Sequence, residues 1–166
     1  MIRAAGLALA LLALEGCGLR PLYAGGGSGT VATTLRSVSV AAIPGQSGWL
    51  MRNKLVDRFG APAGGNTAYR LDVTLDDNIT SFGLRSDQSA TQERRTLRAR
   101  FQLIDVRNGT VVLDSTAGSD TDIDIVSSEY ATVAAEQTAL ENLSEIVADQ
   151  IVTRIALYAD RSRPAK

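Results

Sequence analysis

Residues 69–80, YRLDVTLDDNIT, alternate between apolar and polar side chains almost without a break. Tyr69, Leu71, Val73, Leu75 and Ile79 share one parity, and Arg70, Asp72, Thr74 and Asp76 share the other. Side chains of a strand point to opposite faces in turn, so this spacing predicts a strand with one face buried and one in water. Residues 93–106, ERRTLRARFQLIDV, repeat the rhythm with Leu97, Ala99, Phe101 and Leu103 inward. Asn108-Gly109 is a hairpin signal, and TVVLDSTA at 110–117 reads as the next strand. A strict two-residue turn sets Leu103 opposite Asp114 and mixes the faces. A bulge near Ile104 is therefore predicted, returning Val106, Val111 and Leu113 to the core side.

Helical spacing flanks these strands. SGWLMRNKLVDRF, 47–59, carries Met51, Leu55 and Phe59 at intervals of four, with Ser47 as a cap and Gly60 and Pro62 as stops. From Ser128 onward the apolar interval becomes three or four, through Leu140, Leu143, Val147, Ile151, Ile155 and Tyr158. Ser127 or Ser128 caps this second helix, Glu129 complements its first turn, and Arg154 and Arg161 suit its far end. Residues 31–43, VATTLRSVSVAAI, are rich in β-branched types and read as a first strand closed by Pro44-Gly45. The order is β-α-β-β-β-α. One apolar sheet face and two apolar helix stripes bury each other as an α+β two-layer sandwich, a four-stranded, mostly antiparallel sheet packed by two helices.

Composition narrows the function. The 166 residues suit one domain, and a formal net charge of −1 supplies no basic field for nucleic acid. Histidine is absent, which removes the commonest general base and metal ligand together. One cysteine permits no internal disulfide and no multi-cysteine zinc site. Catalysis without histidine falls to paired carboxylates, here Asp76-Asp77 or the run Asp120, Asp122, Asp124. On a strand those three aspartates share a face, open to calcium or simply to solvent, and EF-hand spacing is absent. No catalytic set, metal site or cofactor is expected, and an enzyme is not.

The first residues account for the cysteine. Met1 to Arg3 form a positive start, and AAGLALALLAL, 4–14, is an apolar run too short for a spanning helix, which needs about 20 residues. Leu14-Glu15-Gly16-Cys17 then resembles the bacterial lipoprotein signal, in which a small residue precedes a cysteine that becomes the lipidated first residue. Leu14 and Gly16 fit that pattern, while Glu15 stands where it has a small or apolar residue. The competing reading is an ordinary secretion signal with an incidental thiol. The expected organisation is a signal peptide at 1–16, a lipidated start with a Gly/Ser tether at 17–30, a folded domain at 31–160 and a tail at 161–166.

Apart from Lys54 and Lys166, every basic side chain is arginine. Arg94, Arg98 and Arg100 share the parity opposite Leu97 and Phe101, and Arg85 lies in the connection before them. Guanidinium forks suit phosphate and carboxylate. Two readings stay open: a strip that meets a phosphorylated glycolipid, or cross-strand pairing with Asp72 and Asp76.

GCGLRPLYA, 16–24, resembles the start of the lipopolysaccharide-assembly lipoprotein family, LptE, whose members often carry Cys-Gly-(aromatic or Leu)-Arg-Pro-Leu-Tyr. The element order, the mature length and the long terminal helix also match. The resemblance implies a non-catalytic outer-membrane lipoprotein on the periplasmic side, anchored by lipid on Cys17. It further implies a plug in the lumen of the LptD β-barrel that supports barrel assembly and binds lipopolysaccharide on its way to the surface. Family members contact lipopolysaccharide through basic residues on the sheet and its loops, which makes Arg85, Arg94, Arg98 and Arg100 the candidates. Gly18 is compatible with export to the outer membrane. The alternative is a free-standing envelope lipoprotein, an inhibitor or structural interaction module.

Overall fold

The computed structural model describes residues 29–60, 67–84 and 90–162. Cys17, Leu14, Gly16 and Arg85, with the leader and most of the tether, lie outside them. The elements are α1 (Thr30–Arg36), β1 (Val38–Val40), α2 (Gly45–Phe59), β2 (Tyr69–Leu84), β3 (Ala90–Asp105), β4 (Val111–Asp124) and α3 (Glu129–Arg161). The expected β-α-β-β-β-α order is present, with one helix added in front.

Alternation places the three long strands in register. The sheet runs β1-β2-β3-β4, with β1 parallel to β2 and the other pairs antiparallel. Leu71 faces Leu103, Val73 faces Phe101 and Leu75 faces Ala99, so the inward parities coincide across the strands. Leu71, Leu97, Phe101 and Leu103 are fully buried. Across from them α3 buries Leu140, Leu143, Val147, Ile151 and Ile155, and α2 buries Met51, Leu55 and Phe59. The two helices run parallel: Gln46 meets Gln137, Lys54 pairs with Glu145, and Arg58 pairs with both Glu145 and Asp149.

Helix ends follow their chemistry. Ser128 caps α3, its Oγ accepting from the Ala131 amide at 3.4 Å. Ser47 caps nothing, because α2 begins at Gly45 behind Pro44. Gly60 ends α2 with a φ of 75°, a backbone that other residues adopt at a cost.

Two expectations are corrected. Residues 30–36 form a helix, leaving only Val38–Val40 as strand. Val31 and Leu35, four apart, bury against α3, and Thr33 and Thr34 return their hydroxyls to the carbonyls of Gly29 and Thr30. The register does break between Leu103 and Ile104, with Val112 as the extra residue of β4, and Leu113 packs on the core. Val106 and Val111, however, are 53% and 49% exposed. Val106 has left the strand to donate its amide to Ala68, and the loop closes further on, through Asp105 N–H to Thr110 O.

Candidate functional site

The outer face of the sheet carries the arginines. Arg94, directly opposite Asp122, grips it in bidentate fashion, Nε to Oδ1 at 2.7 Å and Nη2 to Oδ2 at 3.0 Å. Asp120 stands 3.8 Å away, and the Arg94 guanidinium lies 5.3 Å over the Phe82 ring. Arg100 reaches Asp114 with Nη2 at 2.9 Å, and Gln102 donates to the same carboxylate. Hydrogen bonds from Arg94 hold the Asp122 carboxyl below the usual range, and those from Arg100 and Gln102 do the same for Asp114. These are exposed pairs, so each contributes little to stability. Their effect is to neutralise two of the three arginines.

The partners come from β4, not from the strand before. Asp72 is taken by Arg70 of its own strand. Asp76 faces Arg98 in the register, yet no ion pair forms between them. On the other side Arg98 faces Gly118, which has no side chain to offer. Among the described residues, then, Arg98 has no carboxylate partner.

Arg98 lies beside a groove of about 500 Å³. Thr74, Asp76 and Arg100 line it from β2 and β3, Thr116 and Gly118 from β4, and Gln150 and Arg154 reach it from α3. Gly118 keeps it open: a Cβ there would come within 3.2 Å of both Arg98 Cγ and the Leu97 carbonyl oxygen. Gln150 clasps the free edge of β4, Oε1 accepting from the Gly118 amide and Nε2 donating to its carbonyl, both at 3.2 Å. Arg154 donates to Ser115 Oγ at 2.6 Å and has no carboxylate partner among the described residues. Arg98 and Arg154, neither in an ion pair among the described residues, thus border one groove together with Asp76, and guanidinium forks suit phosphate and carboxylate.

The structure thus divides the strip. It keeps Arg94, Arg98 and Arg100 on one face, leaves only Arg98 of the three without an acid, and adds Arg154, read from sequence only as a helix-end cation. The sequence carries a faint sign of this, since Gln150 and Arg154 lie four apart on the margin of the α3 apolar stripe.

The other candidates resolve differently. Asp124 accepts from Gln92, so Asp120, Asp122 and Asp124 serve their neighbours on β3. Asp76 and Asp77 point to opposite faces, so they form no dyad. Among the described residues no three acidic, histidine or cysteine side chains could hold a metal ion, and no helix is long and apolar enough to cross a membrane. Asp77 lies inward and accepts two bonds from Arg95, at 2.8 and 2.7 Å, while Arg95 also donates to the Glu136 carbonyl of α3. Beside it Glu93 Oε2 is shielded from water without a donor. Burial, and then the neighbouring Glu93, raise the Glu136 carboxyl above its ordinary value.

Comparisons with known proteins agree with this architecture. A family model described as "LptE: Lipopolysaccharide-assembly" matches residues 35–155. A putative lipoprotein from Caulobacter crescentus is 27% identical with a TM-score of 0.66, over 82% of this chain and 100% of that one. Rare lipoprotein B from Shewanella oneidensis (10% identity, TM-score 0.58, 75% and 95% of the two chains) shares the fold. So does a minor lipoprotein from Acinetobacter baumannii (19%, 0.53, 75% and 93%). A search of curated proteins finds no match. With the family match running from α1 into α3, over the whole sheet, the chain belongs to the LptE lipopolysaccharide-assembly family.

Proposed function

We propose that this protein is a non-catalytic outer-membrane lipoprotein that seats in an LptD-like β-barrel, supports its assembly and contacts lipopolysaccharide during delivery to the surface. Membership of the family supports the role. The single structural observation behind the lipid contact is Arg98, a strand arginine without a carboxylate partner beside an open groove. A lipopolysaccharide phosphate supplies the anion that Gly118 does not. Arg94 and Arg100, already engaged by aspartates, contribute less, and Arg85 joins from the β2–β3 connection.

Cys17 is the proposed anchor, with Leu14 and Gly16 as the residues read by the processing machinery. Acyl chains on that cysteine hold the protein to the periplasmic side of the outer membrane, each buried methylene contributing about 0.8 kcal/mol. A polar-faced two-layer body suits the polar interior of a large barrel.

Detergent extraction followed by affinity purification tests the partner. The expected result is stoichiometric recovery of a large outer-membrane barrel protein, together with a lipid-modified Cys17 by mass spectrometry. Recovery of the lipoprotein alone would leave a free-standing envelope module in its place.

A further inference from the structure

Three carboxyls and one guanidinium meet where the start of α3 lies against the sheet. Asp77 of β2 and Glu93 and Arg95 of β3 carry the inward parity of the core, and Glu136 comes from α3. Inward positions on the neighbouring length of β4, Ser119, Thr121 and Ile123, bring no charge, and Asp120, Asp122 and Asp124 have the opposite parity. Arg95 is already engaged, with two bonds to Asp77 and a third to the Glu136 carbonyl. Ser81 donates to Glu93 Oε1 at 3.2 Å, which leaves Glu93 Oε2 shielded from water with no donor. The carboxyl beside that oxygen is Glu136. A buried acceptor without a donor is costly, and a proton on Glu136 is the donor at hand.

The apolar core runs out at the same place. Buried residues of α3 begin at Ala139; between Glu129 and Thr138 there is none, and Tyr130 and Val133 are 84% and 56% exposed. α2 lends no support to the first turns, since Gln46 in its own first turn already lies beside Gln137. A helical segment of this length without a buried face is marginal in water, so polar contacts decide whether it stays on the sheet.

We propose that Glu93 and Glu136 form a proton-operated latch that seats the first turns of α3, from Glu129 to Thr138, on the sheet. With one proton between them, Glu136 donates to Glu93 Oε2 and the segment is closed. With none, two carboxylates face each other beside a guanidinium that Asp77 already neutralises, and the segment opens. Burial, and then Glu93, raise the Glu136 carboxyl. Closure is therefore complete below the ordinary glutamate value, and opening follows as pH rises through the raised one. The latch divides α3 into a fixed length from Ala139 and a movable one before it, and it depends on neither the barrel nor the lipid.

Amide hydrogen exchange of the full chain in detergent micelles, followed by NMR and corrected for the intrinsic effect of pH, tests this. Protection at Val133 to Gln137 should fall at least about fivefold from acid to neutral pH, the least that an orphaned buried acceptor costs, while Leu143 to Ile151 stay protected. Glu136→Gln places an amide donor against Glu93 Oε2 at every pH, so protection should stay high and the step vanish. Glu93→Gln should also remove the step, and should lower the Glu136 titration midpoint read from its carboxyl carbon. In wild type, where no substitution can disturb folding, that midpoint should fall in the same pH range as the step. A flat wild-type profile, a step outside that range, a step that survives both glutamine variants, or an equal loss along the whole of α3 would each overturn the latch.

Discussion

Arg98 of β3 lies directly across from Gly118 of β4, and that pairing sets it apart from its neighbours. Arg94 faces Asp122, and Arg100 reaches Asp114 beside its own partner Thr116. The same glycine that withholds a carboxylate also leaves the groove open and is fastened to α3 by Gln150.

Gln150→Ala removes both bonds to the Gly118 backbone and frees that part of the β4 edge. Net hydrogen-bond values predict a loss of about 1 kcal/mol, with faster amide exchange at Gly118. Exchange read by NMR checks this, and unchanged protection at Gly118 would argue against the clasp.

Arg95 and Asp77 are charged residues at inward parity, with side chains only 12% and 19% exposed. Arg95→Met leaves a half-buried Asp77 without its cation, removes the side-chain bond to the Glu136 carbonyl, and should cost about 3 kcal/mol. The double variant Asp77→Leu, Arg95→Met should recover much of that loss in urea unfolding.

Glu136 gives a pH signature. Its folded carboxyl is raised by burial and by Glu93, so the stabilising contribution of the protonated form is full below the ordinary glutamate value. It is lost as pH rises through the raised value. Glu136→Gln should therefore stabilise the protein at neutral pH and flatten that part of the stability profile. Chemical denaturation from acid to neutral pH reads the change. Asp114 and Asp122 act in the opposite sense: their lowered carboxyls contribute above the ordinary aspartate value, and the contribution is lost as pH falls through the lowered one.

Gly48, buried in α2, lies against the Ile43 carbonyl. A Cβ at this position would come 2.5 Å from that oxygen. Gly48→Ala should thus destabilise by about 1–3 kcal/mol despite alanine's better helix propensity, measured as a fall in the urea midpoint.

Much of this fold was legible in the sequence. Period two marks β2 to β4 because one sheet face is buried and the other wet, and Leu140 to Ile155 mark α3 by their three- and four-residue steps. The first helix was not legible, since the four-residue step from Val31 to Leu35 satisfies a strand and a helix equally. The facing of Arg94, Arg98 and Arg100 followed from parity alone. Their partners did not, because the extra residue at Val112 decides that Arg98 meets Gly118 rather than Ala117. Arg154 entered the site only when α3 settled beside the β4 edge, a tertiary fact that no local spacing carries.

The central claim, that the unpaired Arg98 is the sheet contact for lipopolysaccharide, is tested most directly by comparing alanine variants in one equilibrium binding assay. Arg98→Ala should weaken capture of lipopolysaccharide at least about tenfold, the worth of a charge-assisted bond, with Arg94→Ala and Arg100→Ala within about threefold of wild type. Wild-type affinity in Arg98→Ala, or an equal loss in Arg94→Ala, would contradict it.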